Sequence, residues 1–478
     1  MGEGFNFDED GGAEEGAEAT CIGVNPTISP RTAPAPRQRP EAAGPGKRGK
    51  TKARGAEPEV PRFFPQQPRS FEETGLSPSY IEELCLKHLF QAGELQGSEI
   101  MRRLCLPGGL IEKVMGRLRK SKYVEVKGTG GGGVGRSGMI FSITKLGLDY
   151  VDHAMQRDRY IGPAPVPYGA YLEAVAAQTI RGNQLRRADL QPHFEDLVLD
   201  DSVFDAIGPA MNSGQALFFY GPPGNGKTAI CQRMTNCFGG HVYIPHAVIV
   251  DDFIIKIFDE TIHVPVPEQG SLGSDHRWVR CERPMVVVGG ELMLHDLDLS
   301  YSSEVKYYEA PFQTKANNGM LLIDDFGRQK VSPSDLLNRW IVPLESEVDY
   351  LSMHTGKKLK VPFDVFVTFS TNLDPEELVD AAFMRRVPYK LEVTRPDVKL
   401  FGLIFQRECK MRGIPWDANM FRYLVRTHYQ PHNRHYNACE PRDLLKQVIN
   451  LCAYQGIEPK LSEEIIDRVV DNYFVQFE

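Results

Sequence analysis

The chain has 478 residues, of which 41% are hydrophobic and 25% charged, and a net charge of −8. Those values describe a globular protein of about three domains and exclude a generic polyanion binder. Its nine cysteines (Cys21, Cys85, Cys105, Cys231, Cys237, Cys281, Cys409, Cys439 and Cys452) include no CxxC pair and are odd in number, which fits reduced thiols rather than a disulfide framework.

The start, MGEGFNFDEDGGAEEG, is acidic and lacks the basic and apolar regions of a signal peptide. No apolar run approaches the roughly 20 residues that a membrane-crossing helix needs, so membrane insertion is not expected and a cytoplasmic location is. Residues 1–70 are dominated first by Asp, Glu, Gly and Ala, then by Pro, Ala, Arg and Lys. Such a segment buries too little apolar surface to offset its ordering entropy, and a disordered tail is expected. Its basic stretch, Arg31 to Arg69, reads as a solvated arm, with nucleic acid or an acidic partner as the alternative.

Residues 71–158 change character. Ile81, Leu84, Cys85 and Leu89 recur at helical spacing behind Ser77 as cap and Pro78 at the first position. A second short helix, GSEIMRRLCLP, is predicted with Ser98 as its cap, and a third, GGLIEKVMGRLRKSK, puts Leu110, Val114 and Leu118 on one face. YVEVKG and MIFSIT flank a glycine-rich tip and read as a hairpin. Thr144 caps a last helix. Three helices and a two-stranded wing resemble a winged helix. Its third helix carries Lys113, Arg117, Arg119, Lys120 and Lys122, as helices that enter a major groove do. Docking on protein is an equal alternative, because fold does not set function. The Pro-rich stretch 159–170 reads as a semi-rigid connector, followed by a helical lead-in from Tyr171 to Met211.

Residues 171–396 hold the phosphate chemistry. Leu217 to Tyr220 is an apolar strand, and GPPGNGKT after it matches G-x-x-x-x-G-K-[ST] in full. Gly221, Pro222, Pro223, Gly224, Asn225, Gly226, Lys227, Thr228 and Ala229 are therefore the candidate ATP-binding residues. Glycines let main-chain N–H groups turn toward phosphate oxygens, and the helix that follows presents its positive end to the same anion. Lys227 can reach the β- and γ-phosphates, and the Thr228 hydroxyl can hold Mg²⁺. A second strand, Met320 to Ile323, ends in Asp324, a candidate metal ligand, and Asp325, placed to polarise attacking water. A third, Val365 to Phe369, ends in Ser370, Thr371 and Asn372, where open α/β sheets bind ligands. Arg385 and Arg386 precede another strand. Arg442 sits near the start of a helix, where a cation is disfavoured unless an anion lies close.

GPPGNGKT, LLIDDFG, FSTN, FMRRVPY and EPRDLL together resemble an AAA+ ATPase over roughly residues 171–478. The resemblance implies Lys227 and Thr228 as Walker A, Asp324 and Asp325 as Walker B, Asn372 as sensor 1, Arg386 as an arginine finger acting on a neighbouring subunit, and Arg442 as sensor 2. The choice of Arg386 rests on similarity to the G-R-L-P stretch of ClpX-like unfoldases. EVDYLSMHTGKKLKVPFD looks like a pre-sensor 1 β-hairpin, with Gly356 in its turn. Residues 397–478 give four helical patterns, as in an α-helical lid that closes on adenine. The whole is similar to a bacterial family of ATPases with chaperone activity associated with Flp pilus assembly, distantly related to ClpX. That implies a ring-forming homo-oligomer, hexameric, acting on a protein partner. The expected fold class is α/β: a P-loop AAA+ core and helical lid, preceded by a winged-helix α+β domain and a disordered tail.

Two features depart from the pattern. Asp325 stands where most AAA+ proteins have Glu, which points to slow turnover; helicase-loader relatives also use Asp-Asp. The gap from Thr228 to Asp324 is long, with an insertion near 245–315 that alternates like a β-hairpin or two. It contains no aromatic–hydrophobic–Gly tripeptide, so polypeptide threading has no support. His428, His432, His435 and Cys439 suit Zn²⁺ by type but match no zinc spacing, and a loop satisfying its own backbone is the expectation. Two other functions stay open: an ATP-gated DNA-binding regulator or loader using residues 71–158, and a scaffold that binds ATP without cleaving it.

Overall fold

The computed structural model describes residues 63–129, 138–182, 184–267, 273–378 and 384–474. Most of the expected tail, and the glycine-rich wing tip, lie outside the described residues. The end of that tail does not behave as expected. Phe63 and Phe64 pack on Tyr243 and Trp278, Gln67 N donates to Gly273 O and Asp275 N donates to Pro65 O. Two phenylalanines supply the apolar area that the preceding Pro, Ala and Lys cannot.

Next come helix α1 (Pro78–Ala92), strand β1 (Glu94–Gln96), helices α2 (Gly97–Leu104) and α3 (Gly108–Lys120), strands β2 (Val124–Thr129) and β3 (Met139–Ile143), and helix α4 (Lys145–Arg157). Ser77 and Thr144 accept main-chain N–H bonds as caps. Ser98 does not: the cap of α2 is Gln96, which makes no side-chain capping bond. The sheet has a third strand, in the order β1-β3-β2. At three residues β1 is too short to show a period of its own, and its pairing with β3 draws the helices onto the hairpin. Ile81, Leu89, Ile100, Val114, Leu118 and Phe141 form the core between them.

The connector is built into the fold. Its Val166–Pro167 forms β4, and helix α5 (Tyr168–Ala177) starts at once; helix α6 (Asp201–Ser213) leads to strand β5 (Leu217–Tyr220) and helix α7 (Lys227–Cys237). Strands β6 (His241–Pro245), β7 (Ala247–Val250), β8 (Phe253–Lys256), β9 (Trp278–Glu282), β10 (Met285–Val288), β11 (Ser300–Tyr301), β12 (Tyr308–Glu309) and β13 (Gly319–Ile323) follow. Then come helix α8 (Pro333–Ser346), the hairpin β14 (Val348–Ser352) and β15 (Lys358–Pro362), β16 (Val365–Ser370) and β17 (Tyr389–Glu392). Gly356 turns that hairpin with φ +83°.

The main sheet runs β10-β13-β16-β5-β17, parallel at every described pairing. Its central strands β13 and β16 are buried throughout and mostly apolar, because helices cover both faces. All strand C-termini thus point to one edge, where such sheets bind ligands. The fold is an α/β core built on a parallel sheet, followed by a bundle of C-terminal helices. The stretch 245–315 is not one insertion: Met285–Val288 belongs to this sheet as β10. The rest supplies β9, which pairs with β6, and β7, β8, β11 and β12, which with β4 make a second sheet, β11-β12-β8-β7-β4. Ala247 and Ile254 of that second sheet are buried in the same core as α1 to α4. The lid is α9 (Val398–Arg412), α10 (Ala418–Leu424) with a π-turn at Val425–Tyr429, α11 (Glu440–Gln455) and α12 (Glu463–Tyr473). Among the described residues no helix is long and apolar enough to cross a membrane.

Candidate functional site

Strand β5 ends at Tyr220 and α7 begins at Lys227; the intervening loop turns on glycine. Gly221 holds φ +123°, and a Cβ there would lie 2.5 Å from Val393 O. Gly224 holds φ +76°, with a Cβ position 2.6 Å from Cys439 Sγ. Both the dihedral and the space require glycine at these points.

The motif side chains converge on this loop. Thr228 Oγ1 donates to Asp324 Oδ2 at 2.8 Å. Lys227 Nζ donates to Gly221 O, Pro222 O and Asn372 Oδ1 at 2.8, 3.0 and 2.6 Å. Asn372 Nδ2 donates to Asp325 Oδ1 at 2.9 Å. Burial draws the Lys227 ammonium below its usual pKa, and the Asp324 and Asp325 carboxylates oppose that shift. Asp325 itself has φ +49°, and Gln329 Nε2 holds the turn by donating to Asp324 O. Residues at the start of α7 and just past the ends of β13 and β16 thus form one hydrogen-bonded chain, Lys227–Asn372–Asp325, beside the Thr228–Asp324 pair.

They line a pocket of about 470 Å³ that includes Pro223 to Ile230, Asp324, Asp325 and Asn372, within the range of small-molecule sites. Thr228 and Asp324 are adjacent hard oxygen donors, and so fit Mg²⁺. The lid closes the other side. Cys439 N donates to Gly224 O at 2.8 Å, and Ala438 N to Asn225 Oδ1 at 3.0 Å.

Arg442 lines the pocket from α11, and its position at a helix start has a local explanation: Nε donates to Asp443 Oδ1 at 2.8 Å. Arg386 does not join the pocket. It lies in a separate cleft with Gln215, Leu344, Glu345, Arg385 and Pro388, and its Nε donates to Glu345 Oε1 at 2.6 Å. The zinc candidates do not converge. His428 Nε2 is 2.7 Å from Asp467 Oδ1, Cys439 abuts the phosphate loop, His432 and His435 are exposed, and no group of three or more metal-binding side chains occurs among the described residues.

Several lining residues carry no motif: Leu197, Val198 and Leu199 before α6, and Ile404 and Arg407 on α9. Only the i, i+3 spacing of Ile404 and Arg407 on one helix face hinted at a shared surface.

Residues 397–472 match the model of a domain of unknown function, DUF8689, which spans the lid helices. No curated protein matches the chain. Two solved structures of NtrX from Brucella abortus are similar to it at 12% identity and a TM-score of 0.36. One match covers 60% of this chain and 58% of NtrX. The other, a complex of NtrX with ADP, covers 69% and 67%. The chain therefore spans less than two thirds of the first of these.

Proposed function

We propose that the chain binds ATP with Mg²⁺, hydrolyses it, and works as a ring-forming AAA+ remodeller of a protein partner. The observation that carries the reading is the meeting of Lys227, Thr228, Asp324, Asp325 and Asn372 in one pocket at the C-terminal edge of a parallel sheet. In this reading Gly224 to Thr228 cradle the phosphates through main-chain N–H groups, and Lys227 turns from Asn372 to the β- and γ-oxygens. Thr228 and Asp324 hold the Mg²⁺, which when bound neutralises phosphate charge. Asn372 orients Asp325, whose carboxylate accepts the proton of the attacking water. Asp is one methylene shorter than Glu, and slow turnover follows from the longer reach.

Arg386 supports the multimeric part of the reading: it faces a cleft other than its own chain's pocket, as a residue serving a neighbour would. Arg386→Ala is expected to remove ATP hydrolysis while leaving ATP affinity within about twofold of wild type; equal loss of both contradicts a role in trans. Phosphate release by the intact protein separates hydrolysis from mere binding.

A second reading, an ATP-gated DNA-binding regulator, is favoured by one observation. Lys113, Arg119 and Lys120 are exposed on α3, while Arg117 is drawn aside to Glu82. A salt-dependent shift of duplex DNA by the full chain supports it, and no binding at low salt rejects it.

A further inference from the structure

The pocket has two ends, and the motifs describe one. At the other, the segment Leu197–Leu199 faces Ile404, Arg407 and Glu408 of α9. Leu197 N is used by the preceding turn, donating to Phe194 O. The N–H and C=O groups of Val198 and Leu199 bond to no other main-chain group of the described chain. Two consecutive residues with unpaired donors and acceptors, at the wall of a pocket, form an edge that a heterocycle can fill.

The side chains around this edge are mostly committed. Asp196 takes both its oxygens to Arg233 of α7, and Glu408 pairs with Arg412 one turn on. Arg407 differs. Its one hydrogen bond among the described residues runs from Nη1 to Leu197 O at 3.4 Å, a long contact that leaves most of five donors and both faces of the guanidinium unused. It is half-buried, and it leans from the lid across to the segment that carries the unpaired edge.

We propose that Arg407 clamps the base of the bound nucleotide: its guanidinium lies on the purine face, and the main chain of Val198 and Leu199 reads the purine edge. A planar cation over a π-system is attractive, more so when partly desolvated. Because α9 is the first helix of the lid, the clamp would tie base occupancy to lid position without using the phosphate residues. The proposal rests on the nucleotide reading above and specifies its substrate end.

Calorimetric titration of the full chain with ATP and with inorganic tripolyphosphate, both with Mg²⁺, tests it. Arg407→Ala is expected to weaken ATP at least tenfold and tripolyphosphate less than twofold, with Arg407→Lys in between for ATP. Equal losses for the two ligands place Arg407 on the phosphates and overturn the clamp, as does unchanged ATP affinity. A wild-type protein that binds tripolyphosphate but gains nothing from the adenosine overturns it too. Absence of any ATP binding by wild type is a distinct result: it removes the nucleotide reading itself.

Discussion

The proposed nucleotide pocket and the junction that seats the N-terminal helices are built by opposite means. The pocket draws its polar groups from strand ends and loops, leaves them partly open, and connects them by bonds that a ligand can replace. Lys227 is held by two carbonyls and Asn372, all groups it can leave. The junction is closed and permanent. Arg277 is 4% exposed, as is its partner Asp275. Its guanidinium also donates to Thr74 O at 2.8 Å and Pro165 O at 3.2 Å, joining the entry to α1, the connector and the loop before β9. A buried pair costs desolvation and adds little net stability; its use is to specify one arrangement. The N-terminal helices are therefore fixed to the second sheet.

The sharpest way to break that contrast is Arg277→Ala. It leaves the Asp275 carboxylate buried and unpaired, a loss of about 3–5 kcal/mol. The expected result is a large drop in the denaturant midpoint and faster amide exchange in α1 to α4, with ATP affinity of the folded fraction unchanged. Uniform exchange across core and helices, with unaltered midpoint, refutes the staple.

Gly224→Ala probes the other side at smaller cost. The positive φ and the contact with Cys439 Sγ together should cost about 1–3 kcal/mol, and lower ATP affinity about tenfold by pushing the lid off the phosphate loop. Gly224→Ala with Cys439→Ala removes the steric part and keeps the dihedral strain, so partial recovery is expected. Full recovery assigns the whole effect to the contact; none assigns it to the backbone.

The two regions were also unequally legible. Phosphate chemistry demands glycine, lysine and threonine at set spacing, so Gly221 to Thr228 announces itself, and the apolar runs ending in Asp324 and Asn372 carry the same logic. The edge strand β10 lay hidden in a long gap because four apolar residues carry no period. Strands β4, β11 and β12 have two residues each and exist only through distant partners. Arg277 sits among other arginines in HRWVRCER with no local mark of its burial. Arg407 looks like any solvated helix residue until the lid is placed. Arg442 reads in the sequence as a cation in want of an external anion, and Asp443 beside it supplies the charge.

The smallest expected effect concerns acid. His246 lies between β6 and β7, edge-on to Phe258, and burial, aided by Lys256, lowers its pKa from 6.5 to about 4. The folded state therefore refuses a proton that the unfolded chain accepts. Above pH 6.5 both states are neutral there and the residue contributes nothing to pH dependence. As pH falls from 6.5 toward 4 the unfolded state binds more protons, so stability declines through that window and levels off below it. The ring is partly exposed, so a discounted loss of about 1 kcal/mol at pH 5 is expected. Urea midpoints of wild type and His246→Gln at pH 7.5 and pH 5 isolate it: the variant should lose less on acidification. Because the site borders the second sheet rather than the pocket, acid should loosen the seating of the N-terminal helices while ATP affinity of the folded protein holds. Equal losses in wild type and variant would move the acid sensitivity elsewhere in the chain.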